Sequence, residues 1–113
     1  MFSSGNSFLS YPLKVVWLNY TEFPSAYPVQ VAFSVPKKNF KRAHDRNLIK
    51  RQMRECYRYR KDSLYRFLDL IGQKLGLMIV YIGKDKPEFS QIEFAMTKLI
   101  DRLEKETRGN KFL

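Results

Sequence analysis

A chain of 113 residues with 44% apolar side chains is long enough for one domain with a real core, and too apolar for a disordered basic tail. It carries 21 Lys and Arg against 11 Asp and Glu, a net charge of +10, which points to a polyanion as partner: nucleic acid first, an anionic membrane surface second. The longest apolar run, Leu77 to Ile82, is far too short to cross a bilayer, the start shows no secretory signal, and the single Cys56 cannot form an intramolecular disulfide, in keeping with a cytoplasmic protein.

The first elements read as strands. Ser7 to Ser10 is a short extended piece, and Leu13 to Tyr20 (LKVVWLNY) is rich in β-branched and aromatic residues ahead of the turn-forming TEFPSAYP. Val29 to Val35 alternates, with Val29, Val31, Phe33 and Val35 on one face. Pro36 ends that strand, because proline has no N–H to give to a ladder. A hairpin between Leu13–Tyr20 and Val29–Val35 is expected. One face of each strand must pack the helices, and the alternation leaves open which.

A basic helix follows, with Asp45 as its expected N-cap and either an end near Gly72 or a break near Lys61 to Ser63. At about 100° per residue, Ile49, Met53, Cys56, Tyr57, Leu64, Phe67, Leu68 and Ile71 share one arc, interrupted only by Arg60. Arg46, Asn47, Lys50, Arg51, Arg54, Arg58 and Lys61 fill the adjoining flank, with Leu48, Gln52, Glu55, Tyr59 and Asp62 on the far side. Leu77 to Ile82 reads as a buried strand. The last helix is expected to open at Ser90, with a Ser90/Glu93 capping box and a Phe89/Phe94 staple. Its apolar stripe is Ile92, Met96, Leu99, Ile100 and Leu103. The expected fold class is an α/β (α+β) two-layer sandwich, a small, mostly antiparallel sheet with helices on one face.

The charge is not spread evenly. Lys37 to Lys61 holds eleven bases and two acids, a local charge of +9, while the rest of the chain balances ten bases against nine acids. An ordinary solvated helix face interleaves Glu with Lys, since like charges at i, i+3 and i, i+4 repel. Here Lys50/Arg54, Arg51/Arg54, Arg54/Arg58 and Arg58/Lys61 are all like-charge pairs. Folding gives no reason to keep them; a line of phosphates does, because each neutralised phosphate releases condensed counterion. The excess of arginine suits bidentate phosphate contacts. The candidate RNA-binding residues are Lys37, Lys38, Lys41, Arg42, Arg46, Asn47, Lys50, Arg51, Arg54 and Arg58. Asn47 suits a backbone or 2′-hydroxyl contact, or is simply an early-turn polar residue.

Catalytic patterns are missing from the sequence. His44 is the one histidine, the acids are scattered, no Cys/His set has metal-ligand spacing, and no Gly-rich phosphate cradle appears. Cys56 falls on the apolar stripe and reads as an inert core thiol. The chain reads as a binder with no catalytic side chain and no metal ligands of its own.

The stretch FSVPKKNFKRAHDRNLIKRQMRECYR, Phe33 to Arg58, resembles the protein-subunit family of bacterial ribonuclease P. Ser34, Val35, Lys37, Lys38, Arg46, Asn47, Lys50, Arg51, Arg54 and Glu55 match that family's pattern position by position, a "SV-x-K-K" strand end followed by "RN-x-x-K-R-x-x-R-E". Leu48 stands where the family usually has a basic or polar residue. The resemblance implies a left-handed βαβ crossover around the basic helix. It implies binding to the ribonuclease P catalytic RNA and to precursor tRNA, whose 5′ leader the holoenzyme removes, with Mg²⁺ held by the RNA subunit and substrate. It further implies a leader cleft floored by the sheet, for which Phe2, Phe8, Tyr11, Lys14 and Phe33 are the candidates. The family's N-terminal helix, ahead of Phe2, is expected to be missing from this chain. No obligate protein partner and no membrane are expected. The rivals are a structural or chaperone-type RNA binder, such as a ribosomal protein, and a DNA binder placing a helix in the major groove. The DNA reading is disfavoured by a single long basic helix with no paired short helix or zipper.

Overall fold

The computed structural model describes residues 6–20, 29–72 and 74–111. In chain order the elements are β1 (Asn6–Ser10), β2 (Leu13–Tyr20), β3 (Val29–Ser34), α1 (Ala43–Ile71), β4 (Lys74–Tyr81) and α2 (Phe89–Lys111). The four strands form one sheet in the order β1-β2-β4-β3. β1 and β2 form an antiparallel hairpin around Tyr11 and Pro12, β2 pairs antiparallel with β4, and β4 pairs parallel with β3. Both helices pack on one face, α1 against β3 and α2 against β1 and β2, and they pack on each other. The α+β architecture and the one-sided helical layer are as expected.

The expected hairpin between β2 and β3 does not form, because β4 lies between them. The reason is visible in the side chains. β4 is apolar on both faces, with Leu75, Leu77, Ile79 and Tyr81 buried on one and Met78 and Val80 half-buried on the other. A strand apolar on both sides is stabilised by neighbours on both edges. β3 and β1 instead show exposed Gln30, Asn6 and Ser7, and they take the edges. The crossover through α1 allows this order.

α1 is continuous over 29 residues. At about 1.5 Å rise per residue it spans roughly 43 Å, the full 41 Å length of the molecule. It buries Ile49, Met53, Cys56, Tyr57, Leu64 and Leu68, with Phe67 and Ile71 packed at the margin of the core. That is the predicted arc. Its end is set by Gly72 at φ 68, whose N–H returns to the Asp69 and Leu68 carbonyls; glycine takes this left-handed conformation without the steric cost of a Cβ.

The helix starts differ from expectation. The N-cap of α1 is Arg42, with no side-chain cap bond, and Asp45 lies inside the first turn. There it is buried and paired with Lys86 Nζ at 3.0 Å, where the helix dipole also favours its charge. α2 begins at Phe89 rather than after Ser90, and the Gln91 amide oxygen accepts from the Glu88 N–H at 3.0 Å. Gln91 thus supplies the capping contact expected of Glu93, and Phe89 and Phe94 both remain exposed. The α2 stripe of Ile92, Met96, Leu99, Ile100 and Leu103 is buried throughout.

Leu64 is fully buried on α1, while Leu70 on the same helix is 85% exposed. Leu64→Ala is expected to lower stability by about 2–5 kcal/mol, and Leu70→Ala to change it by less than about 0.5 kcal/mol. Urea unfolding followed by circular dichroism measures both.

Candidate nucleic-acid interface

The basic segment begins in the connection from β3 to α1. Val35 and Phe40 are buried at its two ends, and Phe40 packs on Tyr81 of β4 with ring centroids 5.9 Å apart. Asn39 N–H donates to the Pro36 carbonyl at 3.4 Å, closing a turn. Arg46 Nη1 reaches back from α1 and donates to the Phe40 and Lys41 carbonyls at 2.8 and 2.9 Å. With its backbone held at these points, the connection displays Lys37, Lys38, Lys41 and Arg42 to solvent. Arg46 is only half-exposed and is partly a structural residue. A guanidinium has five N–H donors, so two internal bonds still leave three for a phosphate.

Asn47, Arg51, Arg54 and Arg58 on α1 are exposed and Lys50 is half-buried. Arg58 Nη2 donates to both carboxylate oxygens of Glu55, at 3.0 and 3.1 Å. Glu55 therefore does not stay on the far side of the helix but neutralises one base of the flank. Such an exposed pair is worth little, and a phosphate can displace it. Arg51 and Arg54 have no pairing carboxylate within 4 Å among the described residues.

The sheet has a second face that no described element covers. In it Lys14 faces Val80, Val16 faces Met78 and Leu18 faces Gly76, and the rows continue through Ser34, Ala32 and Gln30 of β3. Lys14, Ala32 and Gln30 are exposed; Val16, Leu18, Met78 and Val80 are half-buried. This is an aliphatic floor with lysines, Lys14 and Lys74, at its two ends.

The aromatic residues expected in a cleft are placed otherwise. Phe8 is 7% exposed on the helix-covered face, with the Arg102 guanidinium 4.4 Å from its ring. Phe33 lies on that same face, edge-on to Tyr57 at 5.8 Å. Neither belongs to the open face: the odd-numbered residues of β2, β3 and β4, Phe33 among them, pack the core, and Phe8 of β1 pairs with the buried Val15. Lys14 is on the open face, Tyr11 stands exposed at the turn bordering the sheet, and Phe2 lies outside the described residues.

Lys84 and Lys86 were not picked out from the sequence. Tyr81 Oη donates to the Asp85 carbonyl at 2.6 Å, and a Cβ at Gly83 would meet that hydroxyl at 2.5 Å, so the β4–α2 connection is tightly folded. It brings Lys86 to the first turn of α1, extending the basic surface. The signal available was the short run KDKP after a buried strand.

Among the described residues no group of three or more His, Cys, Asp or Glu side chains is placed to hold a metal ion, and no helix is long and apolar enough to cross a membrane. Burial, followed by the charges of Glu93 and Glu55, pushes the Cys56 thiol up to about 11, so it stays protonated near neutral pH.

The family model described as Ribonuclease P matches residues 1–104. A Ribonuclease P protein component from Porphyromonas gingivalis is 35% identical over 103 residues, covering 91% of this chain and 74% of that protein. One from Chlorobium phaeobacteroides is 37% identical over 82 residues, covering 66% and 56%. The structure of the Staphylococcus aureus RNase P protein superposes with a TM-score of 0.71 over 90% of this chain and 84% of that one; at 19% identity this is a likeness of fold. From the match over nearly its whole length, the chain belongs to the Ribonuclease P protein family.

Proposed function

We propose that this chain is the protein component of a cytoplasmic ribonuclease P ribonucleoprotein, in which α1 and the connection before it bind the catalytic RNA and the open sheet face takes the 5′ leader of precursor tRNA. The observation that carries the reading is the flank of α1. Like charges are held in line on a helix whose other side is core, and among the described residues Glu55 is the one carboxylate that pairs with a base of that flank. Backbone phosphates fit such a row without regard to base sequence.

The open face suits a single strand of no fixed sequence. Val16, Leu18, Met78 and Val80 present apolar surface to bases, and Lys14 and Lys74 offer charge to the phosphates at either end. Hydrolysis is assigned to the RNA subunit, with Mg²⁺ held by that RNA and the substrate. Among the described residues, the scattered acids and the buried, protonated Cys56 support this division of labour.

Replacing Arg51 by Ala is expected to weaken binding to the RNA subunit and to flatten the dependence of log affinity on log salt by roughly 0.7–0.9 for one lost phosphate contact. A filter-binding titration at several salt concentrations reads this; an unchanged slope would remove Arg51 from the interface.

Alanine at Glu22, His44, Cys56, Asp85 or Glu88 is expected to leave leader cleavage measurable at saturating protein and high Mg²⁺. An all-or-none loss at any of them, with the fold intact, would make the chain a protein nuclease instead.

Lys14→Glu is expected to weaken holoenzyme binding of precursor tRNA while leaving binding of the leaderless tRNA unchanged. Equal losses for both RNAs would remove the leader from this face.

A further inference from the structure

Beyond α1 and the open sheet face, two large aromatic side chains stand in solvent close to cations. Tyr11, in the β1–β2 turn, is 72% exposed, and Phe94, in the second turn of α2, is 64% exposed. Ser10 Oγ donates to the Ala95 carbonyl at 2.9 Å, which ties the end of β1 to the residue after Phe94 and holds the two rings at one site. Both rings line two adjoining depressions. The smaller, about 280 Å³, is bordered by Lys98 and Arg102 and, among the described residues, by no carboxylate. Lys98 Nζ lies 4.5 Å from the centroid of the Phe94 ring, and the Arg102 guanidinium covers Phe8 while Nε pairs with Glu106 at 3.4 Å. The larger, about 740 Å³, runs along the β4–α2 connection past Lys84 and Lys86, with Asp85 and Glu88 also on its walls. Because Lys86 is paired with Asp45, this second depression meets the N-terminal turn of α1.

Exposed aromatic faces alternating with cations are the surface that single-stranded nucleic acid uses: bases stack on the rings and phosphates sit by the charges. A protein partner would favour a continuous apolar patch, and here Lys98 and Arg102 interrupt it. We propose that Tyr11 and Phe94 form a stacking site for single-stranded RNA, with Lys98 and Arg102 at its phosphates. The strand reaches it from α1 along the β4–α2 connection. The inference rests on α1 being an RNA-binding element and adds a site that the basic helix does not contain.

The test uses the full chain and two fluorescein-labelled oligonucleotides of roughly 15 nucleotides, near the upper range of a single-strand site: oligouridine, and the same backbone without bases. Fluorescence anisotropy is read for the unsubstituted protein, Tyr11→Ala/Phe94→Ala, Phe94→Trp and Arg51→Ala. The double alanine variant is expected to lose about tenfold or more in affinity for oligouridine and to bind the abasic strand as the unsubstituted protein does. Phe94→Trp is expected to retain oligouridine binding, and Arg51→Ala to weaken both strands alike. If the double variant binds oligouridine unchanged while Arg51→Ala weakens it, the stacking site is wrong and the proposed function stands. If Arg51→Ala also has no effect, the proposed function falls with it. A dimer seen by sedimentation that Phe94→Ala dissociates would assign the patch to a second copy of the chain and overturn the RNA site.

Discussion

The burial of one stripe of α1 against the sheet and α2 is the interaction on which everything else depends. A helix with four like-charge neighbours pays on the order of 0.2–0.5 kcal/mol for each such pair. Each large apolar side chain it buries contributes about 1.5–3 kcal/mol, and α1 buries Ile49, Met53, Leu64 and Leu68 with Cys56 and Tyr57 between them. Burial wins by several-fold. The core holds the helix rigid, and the helix in turn holds Arg51 and Arg54 in a fixed row that an isolated peptide of the same sequence would not keep.

The same burial explains why the basic surface has a defined beginning. The chain enters α1 through a connection that hydrogen-bonds to itself and to Arg46, with Phe40 wedged against Tyr81. Asp45 in the first turn then ties the helix to Lys86 across the molecule. Losing Lys86, the exposed end of that pair, would leave the buried Asp45 carboxylate uncompensated. Charge display and structural fastening therefore share residues. Arg46 belongs to both, and its substitution would report on a mixture of the two.

A sheet packed by helices on one side leaves the other open. With both helices on one face, the residues of β2, β3 and β4 that alternate outward remain only partly covered. Half-buried aliphatic side chains in a central strand would be a liability on an idle surface; on a surface that receives a flexible strand they are a floor. The basic flank of α1, this floor and the exposed rings of Tyr11 and Phe94 lie on different parts of one small molecule, and the proposed function, with the stacking site added, would have RNA contact all three.

Residue order alone determined the elements whose patterns are local. The arc of α1, its charged flank and the stripe of α2 follow from helical periodicity, and β1, β2 and β4 were recognisable from alternation and composition, within a few residues at their ends. So was the family, because its signature is a run of adjacent residues from Ser34 to Glu55. The tertiary structure decided what depends on contacts between distant segments. β4 displaced β3 as the neighbour of β2, since strand pairing is non-local and β2 is apolar on both faces, which gives local sequence no means of choosing. For the same reason the face of Phe8 and Phe33 stayed open: alternation says that side chains take opposite faces, and only the docking of α1 and α2 puts these two on the inner one. The run KDKP marked Lys84 and Lys86, but that Lys86 meets Asp45 of α1, and that Tyr11 and Phe94 line the same depressions, follows only from the packing of segments that lie far apart along the chain.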